Sequence, residues 1–487
     1  MTSTFNLLDI QAVLPELFLA VMALVLLMVG TFRGHRSTPS LMVGTVAVMV
    51  MALYFVATPM VERELAFNGM FLSDSFTRLT KVMILLASVF VLVIATPWVC
   101  TEQNQVFEFP ILFLLSVTGL MLLVSANNLL SLYVALELAS LSLYVLAAYK
   151  RDSVLSTEAG LKYFLLGALA SGILLFGASL VYGFTGSASF DDIARVLTAR
   201  SEADQLLNPG LALGMVMVIV GICFKISAVP FHMWTPDVYQ GAPTPVTAFF
   251  GSAPKIAALI LLTRFLLQPF GEYVEQWQQI IIVVSAITMA VGAFGAITQT
   301  NIKRLLAYSS IGHVGYALVG IAAANAAGIE GVMIYLWIYL FMNAGAFAVV
   351  LMMQHKGEYL ESLSDFAGLS KTRPMLAASF ALLMFSMAGI PPLAGFFAKL
   401  YVFLGAIEAG LYVLAALAVI TSVVSAYYYI KLVKIMYFDE PTVTLDKQTN
   451  QSTGYVLAIS VIFILGFCVI PTPFVDTAKA AVQALLP

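Results

Sequence analysis

The sequence predicts an all-α polytopic membrane protein of about fourteen transmembrane helices, ten of which form two five-helix units related by inversion. Repeated apolar runs, an alternation of basic residues between successive loops, and two proline-broken helices in matching places carry this expectation. Of 487 residues, 61% are apolar and only 10% charged, where a soluble domain has roughly 25% charged. A hydrocarbon core about 30 Å thick takes about 20 apolar residues at 1.5 Å per residue. Runs of this kind recur at Leu14–Phe32, Leu41–Thr58, Phe76–Thr96, Phe109–Ala126, Leu129–Ala148, Ala159–Phe184 and Leu211–Ala228. They continue at Val246–Leu267, Ile280–Thr298, Leu305–Ala323, Val332–Met353, Leu376–Leu404, Leu411–Tyr437 and Tyr455–Ile470.

Orientation follows from the loops, because cytoplasmic loops retain Lys and Arg. Arg33, Arg36, Lys150, Arg151, Lys303, Arg304, Lys356, Lys371, Arg373, Lys431, Lys434 and Lys447 fall on one side, and Arg63, Arg195, Arg200 and Lys479 on the other. Both termini are therefore expected outside the cytoplasm. The first apolar run follows no basic segment, carries Pro15 and Glu16, and has no small-residue cleavage site after it, so it reads as a retained helix. Cys100, Cys223 and Cys468 lie far apart and read as packing residues. The net charge of −3, with no basic block, gives no sign of a nucleic-acid partner. Two longer extramembrane stretches, Ser187–Gln205 and Lys356–Arg373, mix charges with spaced apolar residues. Each is either an interfacial helix that docks a neighbour or a solvated connector.

Runs seven and twelve are interrupted by proline, at Ala228-Val229-Pro230-Phe231 and at Gly389-Ile390-Pro391-Pro392-Leu393-Ala394-Gly395. Proline removes an N–H and clashes with the preceding turn, and open backbone at membrane depth is tolerated only beside protein or a water-filled cavity. Asn127-Asn128-Leu129 before run five has its counterpart in Thr300-Asn301-Ile302 before run ten. Runs four to eight and nine to thirteen thus read as two units, and because five is odd the second is inverted. The expected division is 1–106, 107–268, 276–437 and 438–487.

Four ionisable residues stand near mid-span: Glu137, Lys225, Lys255 and Lys399. Each costs at least about 2.5 to 3.5 kcal/mol there, so they are expected to face one another or water. Burial favours neutral lysine and a nearby carboxylate favours the charged form. Moving Glu137 relative to Lys225 would therefore change how tightly that lysine holds its proton, with Lys255 as receiver and Lys399 as a second relay point. The plainer reading is a set of structural ion pairs. Lys162 with Glu158, and Lys81, read equally as side chains reaching toward an interface. His232 and His313 could pass protons or be satisfied hydrogen-bonding residues. Tyr308 and Tyr428 could carry water chains, though tyrosines in so aromatic a chain more often pack. Glu16 and Arg264, near helix ends, receive no role. No metal site is expected, since lysines repel cations.

The segments Pro230-Phe231-His232-Met233-Trp234-Thr235-Pro236-Asp237-Val238-Tyr239 with Ala242-Pro243-Thr244-Pro245-Val246, Lys303-Arg304-Leu305-Leu306-Ala307-Tyr308-Ser309-Ser310-Ile311, and Gly389-Ile390-Pro391-Pro392 resemble the antiporter-like membrane subunits of respiratory complex I, the NADH:quinone oxidoreductase. The resemblance covers runs four to thirteen. It implies a central polar axis in which Glu137, Lys225, Lys255 and Lys399 match the family's residues on helices five, seven, eight and twelve. Lys399 and the short segment after run fourteen point to the N-type branch, in a bacterial inner membrane with both termini periplasmic. The resemblance also implies that this chain holds no cofactor, and that FMN, iron–sulfur clusters, NADH and quinone belong to partner subunits of the complex. A subunit of a multi-component sodium/proton antiporter is the alternative, and an inert membrane spacer the plainest one.

Overall fold

The computed structural model describes residues 7–58, 64–101, 105–201, 207–446 and 451–486. Arg63, Lys447 and the end of the 187–205 stretch lie outside the described residues. Among those residues, eleven helices are long and apolar enough to cross a membrane, and three shorter apolar helices, Glu108–Val124, Pro374–Ala388 and Ser452–Gly466, accompany them. Together they account for all fourteen predicted runs. In chain order, spans one to six are Leu14–Arg33, Thr38–Ala57, Ser75–Val99, Glu108–Val124, Leu129–Ala147 and Val154–Thr185. Span seven is split into Pro209–Ile226 and Trp234–Gly241, and span eight into Thr244–Phe250 and Ala253–Leu267. Spans nine to eleven are Val274–Ile297, Ile302–Ala323 and Ala326–Met352. Span twelve is split into Pro374–Ala388 and Ala394–Glu408, and spans thirteen and fourteen are Tyr412–Phe438 and Ser452–Gly466.

The two units carry the same starting device. Asn128 caps span five by accepting from Leu130 N at 2.8 Å, and Asn301 caps span ten by accepting from Lys303 N at 2.9 Å. Asparagine suits both places because its short side chain reaches the free N–H groups of a first turn. Beside each cap the chain forms one antiparallel bridge, Asn128 with Ser189 and Asn301 with Ser362, so 301 follows 128 by the same 173 positions by which 362 follows 189. The Asn127/Thr300 correspondence is thus borne out residue for residue. Spans five and ten are the second members of the two inverted five-helix units.

Both proline breaks begin with a left-handed residue that closes the first half-helix. Ser227 has φ +65° with Ala228 N donating to Cys223 O at 2.9 Å, and Gly389 has φ +88° with Ile390 N donating to Phe385 O at 3.1 Å. Span twelve then turns back closely on itself. Gly395 N donates to Ser386 Oγ at 3.0 Å, and a Cβ at Gly395 would lie 1.8 Å from Ser386 O. Gly395→Ala is therefore expected to cost at least about 3 kcal/mol, read as a lower thermal midpoint of the purified complex in detergent. An unchanged midpoint would show that this turn can shift.

A third break departs from the expectation of one continuous helix over Val246–Leu267. Span eight opens at Gly251–Ser252. Pro254 supplies no N–H and its ring crowds the carbonyl four residues earlier. Asn343 of span eleven instead donates to Ala248 O at 3.0 Å, and a Cβ at Gly251 would lie 2.6 Å from the same side chain. Ser252 Oγ donates to the same carbonyl at 3.0 Å, so the opened backbone is satisfied both from its own span and from a neighbour, as membrane depth requires.

The extramembrane stretches diverge. Phe190–Ser201 is an amphipathic helix whose Phe190, Ile193 and Leu197 are buried against the bundle. The 356–373 stretch is not one helix. Gln354–His355 pairs with Glu358–Tyr359, followed by a 3-10 turn at Leu363–Phe366 and a short helix at Leu369–Thr372. Lys356 and Gly357 both take positive φ, the requirement of a two-residue hairpin turn. The Asp446 carboxylate accepts from both of their N–H groups, at 2.9 and 2.8 Å.

Candidate functional site: a polar axis through the broken spans

Each of the three lysines sits beside a break. Lys225 occupies the last turn of the first half of span seven, Lys255 the first turn of the second half of span eight, and Lys399 the second turn after the break in span twelve. Lys255 and Lys399 are 1% and 4% exposed, and Glu137 and Lys225 are half-buried.

Glu137 and Lys225 are organised by one face of span five. The Glu137 carboxylate accepts from Ser171 Oγ of span six. Lys225 Nζ donates to Ser140 Oγ at 2.7 Å and Tyr144 Oη at 3.2 Å. Glu137, Ser140 and Tyr144 stand at i, i+3 and i+7, which places them on one helix face. The carboxylate and the ammonium therefore approach the same stripe without forming a direct ion pair: of the two expected arrangements, facing one another or facing water, direct pairing is not the one seen between these two. Hydroxyls solvate them separately, which answers the cost of burying a charge.

Span ten organises the other two lysines. Lys255 Nζ donates to Ser310 Oγ at 2.6 Å, to which Tyr339 Oη also donates at 2.7 Å. One turn further, His313 Nδ1 meets Tyr335 Oη at 2.5 Å and its Nε2 meets Tyr429 Oη at 3.2 Å, while Tyr429 Oη meets Ser309 Oγ at 2.5 Å. One turn beyond that, the Tyr316 ring lies 4.9 Å from Lys399 Nζ. Lys399 Nζ donates to Ala388 O at 2.9 Å, a carbonyl freed by the break, and to Ser422 Oγ of span thirteen at 2.8 Å. Ser310, His313 and Tyr316 thus form an i, i+3, i+6 stripe with Lys255 at one end and Lys399 at the other. Counting the 173-residue register along spans five and ten, Ser310 takes the place of Glu137, and His313 that of Ser140. The two units share a frame and differ in chemistry at both of these positions.

Between Lys225 and Lys255 the structure places aromatic rings. Tyr144 packs on Tyr163 at 4.8 Å, Tyr163 stacks on Trp234 at 4.4 Å, Trp234 lies 6.3 Å from Tyr239, and the Tyr239 ring lies 5.4 Å from Lys255 Nζ.

The remaining sequence candidates divide. His313 joins the axis. His232 makes no side-chain hydrogen bond to any of the four central charges, and it follows the break on a half-buried turn. Lys162 pairs with Glu158 and Asp237, both at 2.7 Å, at the bundle's edge where Arg304 reaches Asp237 at 2.6 Å. The Tyr308 ring packs over Gly295, and the Tyr428 ring lies tilted against Tyr429 at 4.3 Å, the neighbour that bonds His313. Lys81 does not reach an interface: it is buried in an ion pair with Glu16 at 2.6 Å. Arg264 is likewise buried, on Asp74 at 2.8 Å. Ser140, Tyr144, Ser310, Tyr335, Tyr339, Tyr429 and Ser422 were not among the sequence candidates. For Ser140 and Ser310 a signal existed in their i+3 and i−3 spacing to Glu137 and His313, whereas the tyrosines on other spans carry none.

Buried amines held by hydroxyls at the breaks of inverted helices define an antiporter-like membrane subunit. A family profile described as "NADH:quinone oxidoreductase/Mrp antiporter, TM" matches residues 126–425. The NADH-quinone oxidoreductase subunit N of Paramagnetospirillum magneticum is 54% identical over 480 residues, covering 99% of both chains. In a respiratory complex I structure from Thermus thermophilus with bound aureothin, one chain matches with TM-score 0.81 and 32% identity, over 95% of this chain and 98% of that one. A chain of the Mrp complex from a Dietzia species shares the fold, with TM-score 0.84 at 22% identity over 98% of this chain and 100% of its own. The chain belongs to the NADH:quinone oxidoreductase/Mrp antiporter family, in the branch of the N subunits.

Proposed function

We propose that this chain conducts protons along the Glu137, Lys225, Lys255 and Lys399 axis as the N-type membrane subunit of an NADH:quinone oxidoreductase. Quinone reduction in a partner subunit supplies the driving force, and FMN, iron–sulfur clusters, NADH and quinone belong to those partners. The observation that carries the reading is the stripe of span ten, which sets a hydroxyl, an imidazole and a phenol on successive turns between two buried amines. Amines and imidazole bind and release protons, and hydroxyls both donate and accept, so the stripe has the composition of a relay. Lys225 is coupled to Glu137 through span five, so a change of charge at the carboxylate alters the field at the amine. The units run over 107–268 and 276–437, flanked by 1–106 and 438–487. Both termini face the periplasm of a bacterial inner membrane, and the Asn301 end of span ten faces the cytoplasm, as the basic loops require.

The test uses the intact complex in sealed inside-out vesicles. Lys255→Ala and Lys399→Ala are each expected to lower proton uptake per NADH oxidised while the complex remains assembled. Unchanged uptake in both variants would sink the relay.

A further inference from the structure

At the Asn301 end of the bundle a cavity of about 1040 Å³ opens to the surface, with charged residues Lys150, Glu358 and Asp446 in its walls. Lys303 and Glu361 also line it and pair at 2.7 Å. The two partners differ in access: the Lys303 side chain is 4% exposed and that of Glu361 30%. Asn301 Nδ2 donates to the free carboxylate oxygen, Glu361 Oε2, at 3.3 Å. Lys303 Nζ also donates to Ala242 O at 3.0 Å, in the link between the split spans seven and eight. The carboxylate thus faces the cavity and the ammonium stands behind it, against the broken helices.

Lys303 begins the same face of span ten that carries Ser310. Seven residues are two turns, about 10 Å of helix, and Ser310 holds Lys255. A buried ion pair is weak support for stability, because desolvation offsets much of its attraction. This one stands between a solvent-open cavity and the start of the helix face that carries Ser310.

We propose that Glu361 and Lys303 form the port through which the axis exchanges protons with this cavity. The inference rests on the relay reading of the axis. A proton from the cavity binds a Glu361 carboxylate oxygen, and the Lys303 ammonium, its counter-ion neutralised, releases one N–H proton along span ten toward Ser310. The protonated carboxyl then returns its proton to the Lys303 amine. One proton has moved from cavity to axis, and the pair ends as it began. The two intervening turns, about 10 Å, make the inner transfer longer than a single hop.

Glu361→Gln in the intact complex is expected to bring proton uptake per NADH down to the level of Lys255→Ala, and Glu361→Asp to retain most of it. Because Glu361→Gln leaves a buried ammonium unpaired, the double variant Lys303→Gln/Glu361→Gln is measured beside it. That pair keeps the shape and a hydrogen bond without charge, so assembly is expected to survive while uptake stays low. Full uptake in the double variant would mean a purely structural pair and overturn the port. Full uptake in Glu361→Gln with loss in Lys255→Ala would overturn the port and leave the axis standing. Full uptake in all three would overturn the axis itself.

Discussion

Lys225→Ala is expected to slow proton transfer through this subunit by about 100-fold or more, the usual contribution of a positioned acid–base group. The decisive companion is Lys225→Arg. Arginine keeps the positive charge and can reach Ser140 and Tyr144, which hold the native ammonium at 2.7 and 3.2 Å, but it does not give up its proton in a protein. If Lys225 serves only to place a charge between spans five and seven, the arginine variant pumps normally. If it carries a proton, arginine is as defective as alanine. Single-turnover proton release in proteoliposomes, with assembly checked by the NADH–ferricyanide activity of the complex, separates the two.

The largest effect on stability is expected at a distance from the axis. Arg264 of span eight and Asp74, the cap of span three, pair at 2.8 Å with side chains 3% and 2% exposed. Asp74 also forms a reciprocal capping box with Thr77, accepting from its N–H at 2.8 Å. Arg264→Ala strands a buried carboxylate and is expected to cost about 3 to 5 kcal/mol, seen as loss of assembled complex or a collapse of its thermal midpoint. Adding Asp74→Asn should recover much of the loss, since the amide still caps the helix and no charge is left unpaired. No recovery would mean that Arg264 acts by packing. Burial pushes the Asp74 carboxyl up, but Arg264 and the Thr77 hydrogen bonds outweigh it and hold the group below its usual range. A depressed carboxylate contributes stability above its unfolded value, and that contribution is lost as pH falls through the folded one. The native complex should therefore lose this stabilisation only in strong acid, whereas in Arg264→Ala, where burial is no longer outweighed by the guanidinium, protonation of Asp74 should relieve the stranded charge and reverse the acid dependence.

The sequence by itself determined the membrane embedding, the count of spans, the inverted repeat and four of the polar positions. These are legible because they depend on local properties: apolar length, proline chemistry, and the cost of one charge in one helix. Lys225, Lys255 and Lys399 could be picked out one at a time, since each is expensive wherever its helix packs. The tertiary structure alone decided their partners. Ser310 sits in an unremarkable Ser-Ser pair until Lys255, 55 residues earlier in the chain, is brought to 2.6 Å from it. Tyr335 and Tyr429 look like any membrane aromatics until both meet His313. Lys81 looked like a snorkelling side chain because sequence spacing says how deep a residue lies but not what faces it, and Glu16 faces it. The missed break in span eight has a related origin: Pro254 weakens the helix locally and Ser252 of the same span reaches Ala248's carbonyl, but that carbonyl's second donor, Asn343, comes from another span. In lipid every freed backbone group and every buried charge needs a partner, and the need is written in the local sequence while the partner is supplied only by the fold.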